Sequence, residues 1–174
     1  MLSMSGRRRL PTGMRRRPDA AGRIKDPMDE RAQADEPPSP IDLTVESAVA
    51  PDRAWQALTD PRVIAEWFTD ASPVGRVGDP YRLDFGDASV VEGVVTELEP
   101  GRRFSYTWRW SDAESHEETH VAWSVERRDD GGTSIRLIHD GWAEAGLDET
   151  VRDDHEGYWT GYLEDLAAIL AGRG

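Results

Sequence analysis

The sequence predicts an α+β domain in which an antiparallel sheet packs against one long C-terminal helix. Three patterns carry this expectation. From Pro80 to Asp140 the apolar residues recur with a period of two in five consecutive segments separated by short turn sequences. Residues 148–172 place their large apolar side chains on one helical arc. Between an isolated first strand and the sheet lie two short helical stretches divided by Asp60-Pro61. Strands that follow one another through short turns pair antiparallel, because a parallel pairing needs a long crossover.

Strand one is read as Ile41 to Val49, where Ile41, Leu43 and Val45 alternate with Asp42, Thr44 and Glu46. The first helix follows at Pro51, a residue suited to a first helical turn, and Trp55 and Leu58 share one of its faces. The five strands of the sheet are YRLDF, SVVEGVVTEL, RRFSYTWRW, THVAWSVER and TSIRLIHD. Their turns fall at Gly86-Asp87, Pro100-Gly101, Ser111-Asp112 and Asp130-Gly131-Gly132. Alternation puts Phe104, Tyr106, Trp108 and Trp110 on one side of their strand, and Val121, Trp123 and Val125 together on the next. In the final helix Asp148 or Thr150 is the expected cap. At 100° per residue, Val151, His155, Tyr158, Trp159, Tyr162, Leu163, Leu166, Ile169 and Leu170 occupy an arc of roughly 140°. That arc has to lie on the sheet.

Composition narrows the functional classes. With no cysteine, a disulfide framework, a thiolate metal site and a cysteine nucleophile are all unavailable, and seven tryptophans point to stability through packing. Residues 1–40 hold nine basic and six acidic residues, and the remainder twelve and 28, so residues 41–174 carry a net charge of −16 within a total of −13. Such a domain repels nucleic acid and anionic membranes. Residues 1–40 are rich in Arg, Pro, Gly and Asp and poor in aliphatics, the composition of a disordered extension. They contain all four methionines (Met1, Met4, Met14 and Met28), any of which suits a translation start. No apolar run is long enough to span a bilayer, and the basic start lacks the apolar segment of a secretory signal, so a cytoplasmic location is expected.

Four ordered blocks resemble one family. PDRAWQALTDPRVIAEWF carries Trp55, Thr59, Asp60, Pro61, Trp67 and Phe68 in the order of the family's opening signature. VGDPYRLDF matches its Val-Gly-Gly and aromatic strand, with Asp79 where a second Gly is usual. EGVVTELEPGRRFSYTW matches at Gly93, Val95, Pro100, Tyr106 and Trp108. The endings GTSIRLIHDGW and HEGYW match at Thr133, His139, Gly141, Trp142, His155, Gly157 and Trp159. Residues 41 to about 171 thus resemble the activator of heat shock protein 90 ATPase homologue-like family of the SRPBCC (START-like) superfamily. The resemblance implies a helix-grip fold over residues 41–174, a curved antiparallel sheet wrapped around the last helix. It also implies a site for a small apolar or amphipathic molecule in the space between them. Alternatives within the same resemblance are a cyclase- or dehydratase-like enzyme using that space and a protein-interaction, co-chaperone-like module. Nothing in residues 1–40 resembles the chaperone-binding domain of the eukaryotic co-chaperone, so ATPase activation is not inferred.

The expected ligand-lining set is Trp67, Phe85, Tyr106, Trp108, Trp123, His139, Trp142, His155, Trp159 and Tyr162. Large aromatics supply apolar walls with a polar handle, and the two histidines lie on inward-facing positions where an imidazole can serve as acid, base or hydrogen-bonding group. No catalytic residue, cofactor or metal ligand is assigned. The segment HEETH, His116 to His120, has the spacing of a zinc-protease helix. It leads into the alternating strand THVAWSVER, where four residues span roughly 13 Å, too far for two imidazoles each about 2 Å from one zinc.

Overall fold

A computed structural model describes residues 36–172. The element order is β1 (Ile41–Ser47), α1 (Pro51–Thr59), α2 (Pro61–Trp67), β2 (Asp70–Ala71), β3 (Pro80–Asp84), β4 (Val90–Glu99), β5 (Arg103–Trp110), β6 (Thr119–Arg127), β7 (Thr133–Asp140) and α3 (Glu149–Gly172). The seven strands form one antiparallel sheet in the order β1-β7-β6-β5-β4-β3-β2. The arrangement is a helix-grip fold. All six strands read from the sequence are present, β1 stopping at Ser47 rather than Val49. The two-residue β2 lacks a periodic signal and was not anticipated.

The two short helices owe their separation to Asp60 and Pro61. Thr59 folds its hydroxyl back onto the Trp55 carbonyl (2.8 Å), and the Asp60 carboxylate accepts from the Arg62 amide (2.9 Å), so one helix ends where the next is capped. Pro61 fills the first turn of α2, where its missing N–H leaves no bond unmade. Trp67 then reaches back across the break, its indole N–H donating to the Ala57 carbonyl at 2.9 Å.

The sheet curls at β4, whose register with β5 shifts between Val95 and Glu97. Gly93 lies just before this bulge, and a Cβ there would stand 1.8 Å from the Thr107 carbonyl oxygen of β5. Only glycine fits. The β3–β4 connection is a tight turn in which the Ser89 amide donates to the Gly86 carbonyl (2.8 Å), with Asp87 at φ 51° and Ala88 at φ 62°. Two successive left-handed residues match the right-handed twist of a hairpin; aspartate is tolerated in that region, whereas Ala88 is strained there.

The inner sheet face and the α3 arc form a single core. Ile41, Leu83, Val121, Ile135, Leu137 and Leu166 are completely enclosed within it. Asp148 caps α3 through the Val151 amide (3.1 Å). One residue on the buried arc is charged. Arg152, at the helical angle of Leu170 but not counted among the apolar residues, is buried because its guanidinium donates to the carbonyl oxygens of Ser39 (3.0 Å) and Pro40 (3.4 Å) and pairs with Asp153 and Glu156. Ordered contacts therefore begin before Ile41, inside the segment assigned to the N-terminal extension. The rest of that extension, residues 1–35, lies outside the described residues, as do the four methionines.

Candidate functional site

Two histidines lie at the centre of the space between sheet and helix. His139 of β7 is opposite Val121 on β6, and His155 projects from the second turn of α3; their ring centroids are 5.6 Å apart. Both are buried. Their hydrogen bonds fix their tautomers. The Trp159 indole N–H donates to His139 Nδ1 (3.0 Å), so the proton resides on Nε2, which donates to Thr119 Oγ1 at 2.7 Å. The Thr119 hydroxyl donates in turn to the Trp108 carbonyl at 3.2 Å. His139 is thereby neutral with both nitrogens occupied.

His155 is held the other way round. Its Nδ1–H donates to the Val151 carbonyl one turn back (2.7 Å), leaving Nε2 as an acceptor that faces the Trp110 indole N–H at a long 3.3 Å. Burial holds both imidazoles below the ordinary histidine range, His139 far below it, where the neighbouring His155 and His120 add to the effect. For His155 the Val151 carbonyl and the Asp154 carboxylate partly offset burial.

Around this pair the aromatic rings meet face and edge. Trp108 contacts His139 (5.5 Å), His155 (6.2 Å), Trp159 (5.4 Å), Phe85 (6.1 Å) and Trp110 (5.6 Å, edge-on). Phe68 joins α2 to α3, with Trp159 at 5.1 Å and Tyr162 at 4.8 Å, and meets Phe85 at 5.3 Å. Trp67 and Trp159 both stand edge-on to Trp123. Phe68, Phe85 and Trp110 are half-buried, whereas Trp108, Trp159 and Tyr162 behind them are buried. These rings occupy one another's faces, and Phe68, Phe85 and Trp110 are the members of the cluster that reach solvent.

Of the ten residues expected to line a site, nine form this contiguous cluster. Trp142 closes it beneath His139 (4.3 Å), donating its indole N–H to the His139 carbonyl at 3.0 Å, and touches His155 at 5.1 Å. Tyr106 sits one layer away, stacked on Phe104 and tilted against Tyr81, and meets the cluster through the Trp123 indole N–H that it accepts at 3.4 Å. Burial raises the hydroxyl pKa values of Tyr81 and Tyr106 well above the ordinary tyrosine range, which keeps both protonated. Phe68, Trp110 and Thr119 were absent from the expected set. The first two carried a signal in the Trp-Phe dipeptide of the opening signature and in the β5 alternation. Thr119 shared the inward parity of Val121, Trp123 and Val125, but its bond to His139 follows from the pairing of β6 with β7 and carried no signal of its own.

The HEETH histidines are elsewhere. His116 lies in the β5–β6 turn, and His120 is on the face of β6 opposite the core, between Thr96 (Oγ1 to Nε2, 2.9 Å) and Asp140 (3.6 Å). Among the described residues no three His, Cys, Asp or Glu side chains cluster as metal ligands.

A family described as Activator of Hsp90 ATPase homolog 1-like protein matches residues 48–171. The chain belongs to this family. Among solved structures, the family's protein from Silicibacter pomeroyi is 26% identical with a TM-score of 0.64, the match covering 78% of this chain and all (100%) of that one. DynU16, a protein of the dynemicin biosynthetic locus, is 24% identical with a TM-score of 0.64; the match covers 78% of this chain but only 48% of DynU16, so the chain spans about half its length. CalU16 from Micromonospora echinospora is 23% identical over 75% of each chain, with a TM-score of 0.62. The likeness to DynU16 and CalU16 is one of fold. A search of the curated proteins finds no match.

Proposed function

We propose that this chain binds a small, largely apolar molecule between the sheet and α3, at the end where Phe68, Phe85 and Trp110 are half-buried. One observation carries the reading. Two neutral, hydrogen-bonded imidazoles lie behind those rings, inside an otherwise apolar wall, the combination of hydrophobic lining and few placed polar groups that small-molecule sites use. Core packing alone has no use for a titratable ring held by its neighbours, since an apolar side chain of equal volume serves without desolvation.

The site set is Trp67, Phe85, Trp108, Trp123, His139, Trp142, His155, Trp159 and Tyr162, with Phe68 and Trp110 added and Tyr106 supporting from behind. An interaction module is less well supported. Among the described residues the exposed large hydrophobics are Val77 and Val94, which offer no apolar patch for a partner. A second reading, an enzyme of the cyclase kind, is favoured by the orientation of His155: its Nδ1–H is anchored to Val151, so Nε2 presents the lone pair of a general base.

Native mass spectrometry of protein purified from its own host, joined to a thermal-shift screen of polycyclic aromatics, isoprenoids and fatty acids, tests the binding reading. A co-purifying small molecule, or stabilisation that His155→Phe abolishes, supports it. Unchanged melting across the screen together with a ligand-free native mass overturns it.

A further inference from the structure

Given that reading of the site, we infer that its ligand is uncharged and presents a hydrogen-bond acceptor, a ketone, quinone, ester or ether oxygen, to the indole N–H of Trp108. The polar groups of the cluster leave one place open. Every other indole N–H around the histidines has a partner: Trp159 on His139, Trp110 on His155, Trp142 on the His139 carbonyl, Trp123 on Tyr106. Trp108 is 3% exposed, at the centre of the ring contacts, and its Nε1–H has no acceptor. A buried donor without a partner forfeits its full hydration, so an arriving acceptor gains more there than at any satisfied group.

The charge of the ligand follows from what surrounds that donor. His139 has both nitrogens committed, and His155 offers a lone pair rather than a proton to anything approaching Nε2. Neither meets an anion as a cation. Among the described residues Arg152 is the one buried cationic side chain, and it is consumed by the Ser39 and Pro40 carbonyls and by Asp153 and Glu156. A carboxylate or phosphate entering the cluster would therefore be stripped of water with no counter-charge, which an apolar wall does not tolerate. A carbonyl or ether oxygen needs one donor, and Trp108 supplies it. Among the described residues of the cluster, half-buried Trp110 holds its indole N–H in a long bond, so it too is a donor and not a counter-charge.

Three naphthalenes of nearly equal size test this on the full chain at pH 7.5 by isothermal titration: 2-acetylnaphthalene, 2-ethylnaphthalene and 2-naphthoate. The ketone is expected to bind roughly tenfold tighter than the hydrocarbon, the worth of one neutral hydrogen bond. The naphthoate is expected at least 100-fold weaker than the ketone. In wild-type protein labelled with 15N-tryptophan, the Trp108 indole N–H resonance, assigned by its loss in Trp108→Phe, should move downfield with the ketone and stay in place with the hydrocarbon. Naphthoate binding as tightly as the ketone overturns the inference on charge. Equal binding of ketone and hydrocarbon with an unmoved N–H overturns the role of Trp108, whose N–H would then rest on the face of Trp110. If none of the three binds, this inference falls; the reading of the site as a small-molecule site falls with it only where the thermal-shift screen and the native mass also find no ligand.

Discussion

Acid should destabilise this fold well above the range in which its carboxylates titrate, and His139 should account for most of the effect. An unfolded histidine takes up its proton near pH 6.5, whereas His139 is held deprotonated by burial among Trp108, Trp142 and Trp159 with both nitrogens already bonded. Below pH 6.5 the unfolded chain thus binds a proton that the folded chain refuses, and the equilibrium moves toward unfolding. At pH 5 the unfolded histidine is protonated by a factor of roughly 30, which corresponds to about 2 kcal/mol for one fully excluded imidazole. His155, lowered less, adds a smaller amount in the same direction. The carboxylates whose pKa values are lowered, Asp42 and Asp60, lose their contribution only as pH falls from their ordinary value of 3.8, below this window. Urea unfolding followed by tryptophan emission at pH 8, 6.5 and 5 should show the midpoint falling by more than about 1 M. His139→Gln lowers stability at pH 8 but should remove most of the pH dependence; His155→Gln should remove the smaller part. Comparing slopes cancels the opposing benefit of neutralising an acidic chain. A wild-type midpoint that does not move between pH 8 and 5, or a His139→Gln slope as steep as wild type, refutes the assignment of a neutral, excluded imidazole.

Three substitutions probe the scaffold that holds the site. Gly93→Ala drives a methyl into the Thr107 backbone and should cost about 3 kcal/mol, read as a lower melting temperature, with the β4 bulge as the cause. Ala88→Gly releases a residue from the left-handed region (φ 62°) and should stabilise by up to about 1 kcal/mol after the added chain entropy of glycine; an unchanged or lowered melting temperature refutes the strain. Arg152→Met leaves the Ser39 and Pro40 carbonyls without their donor and should cost about 2 kcal/mol, with proteolytic cleavage newly reaching residues 36–40.

The strands were legible because the core imposes a period of two on them. Phe104, Tyr106 and Trp108 are buried on one face as alternation requires, and β6 and β7 begin and end where their patterns do. The helix was legible in the same way, and its 3.6-residue period places even Arg152 on the arc, at the angle of Leu170. Periodicity cannot register what makes a guanidinium tolerable there, carbonyl oxygens from a segment 112 and 113 residues earlier. The same limit applies to the site. His139 and His155 were identifiable by facing inward, but their tautomers depend on Thr119 and Val151, and Thr119 reaches His139 only because β6 is paired with both β5 and β7. Trp142 follows Gly141 outside any regular element, so no periodicity placed it; only the resemblance singled it out. The orphaned N–H of Trp108 is a property of everything around it, and a sequence carries no trace of a missing partner.

The grip of Arg152 on Ser39 and Pro40 has a practical consequence for labelling. Arg152 and His155 are one turn apart, so a tag or dye attached upstream of Ser39 starts within a few ångströms of the histidine cluster along the helix axis. The other end of α3, at Gly172, lies about 30 Å away at 1.5 Å per residue. An acceptor dye at the C-terminal end reads tryptophan energy transfer at a distance from His155, while the same dye at the N-terminal side starts one helical turn from it. Immobilisation for surface-based titration belongs at the C-terminal end for the same reason.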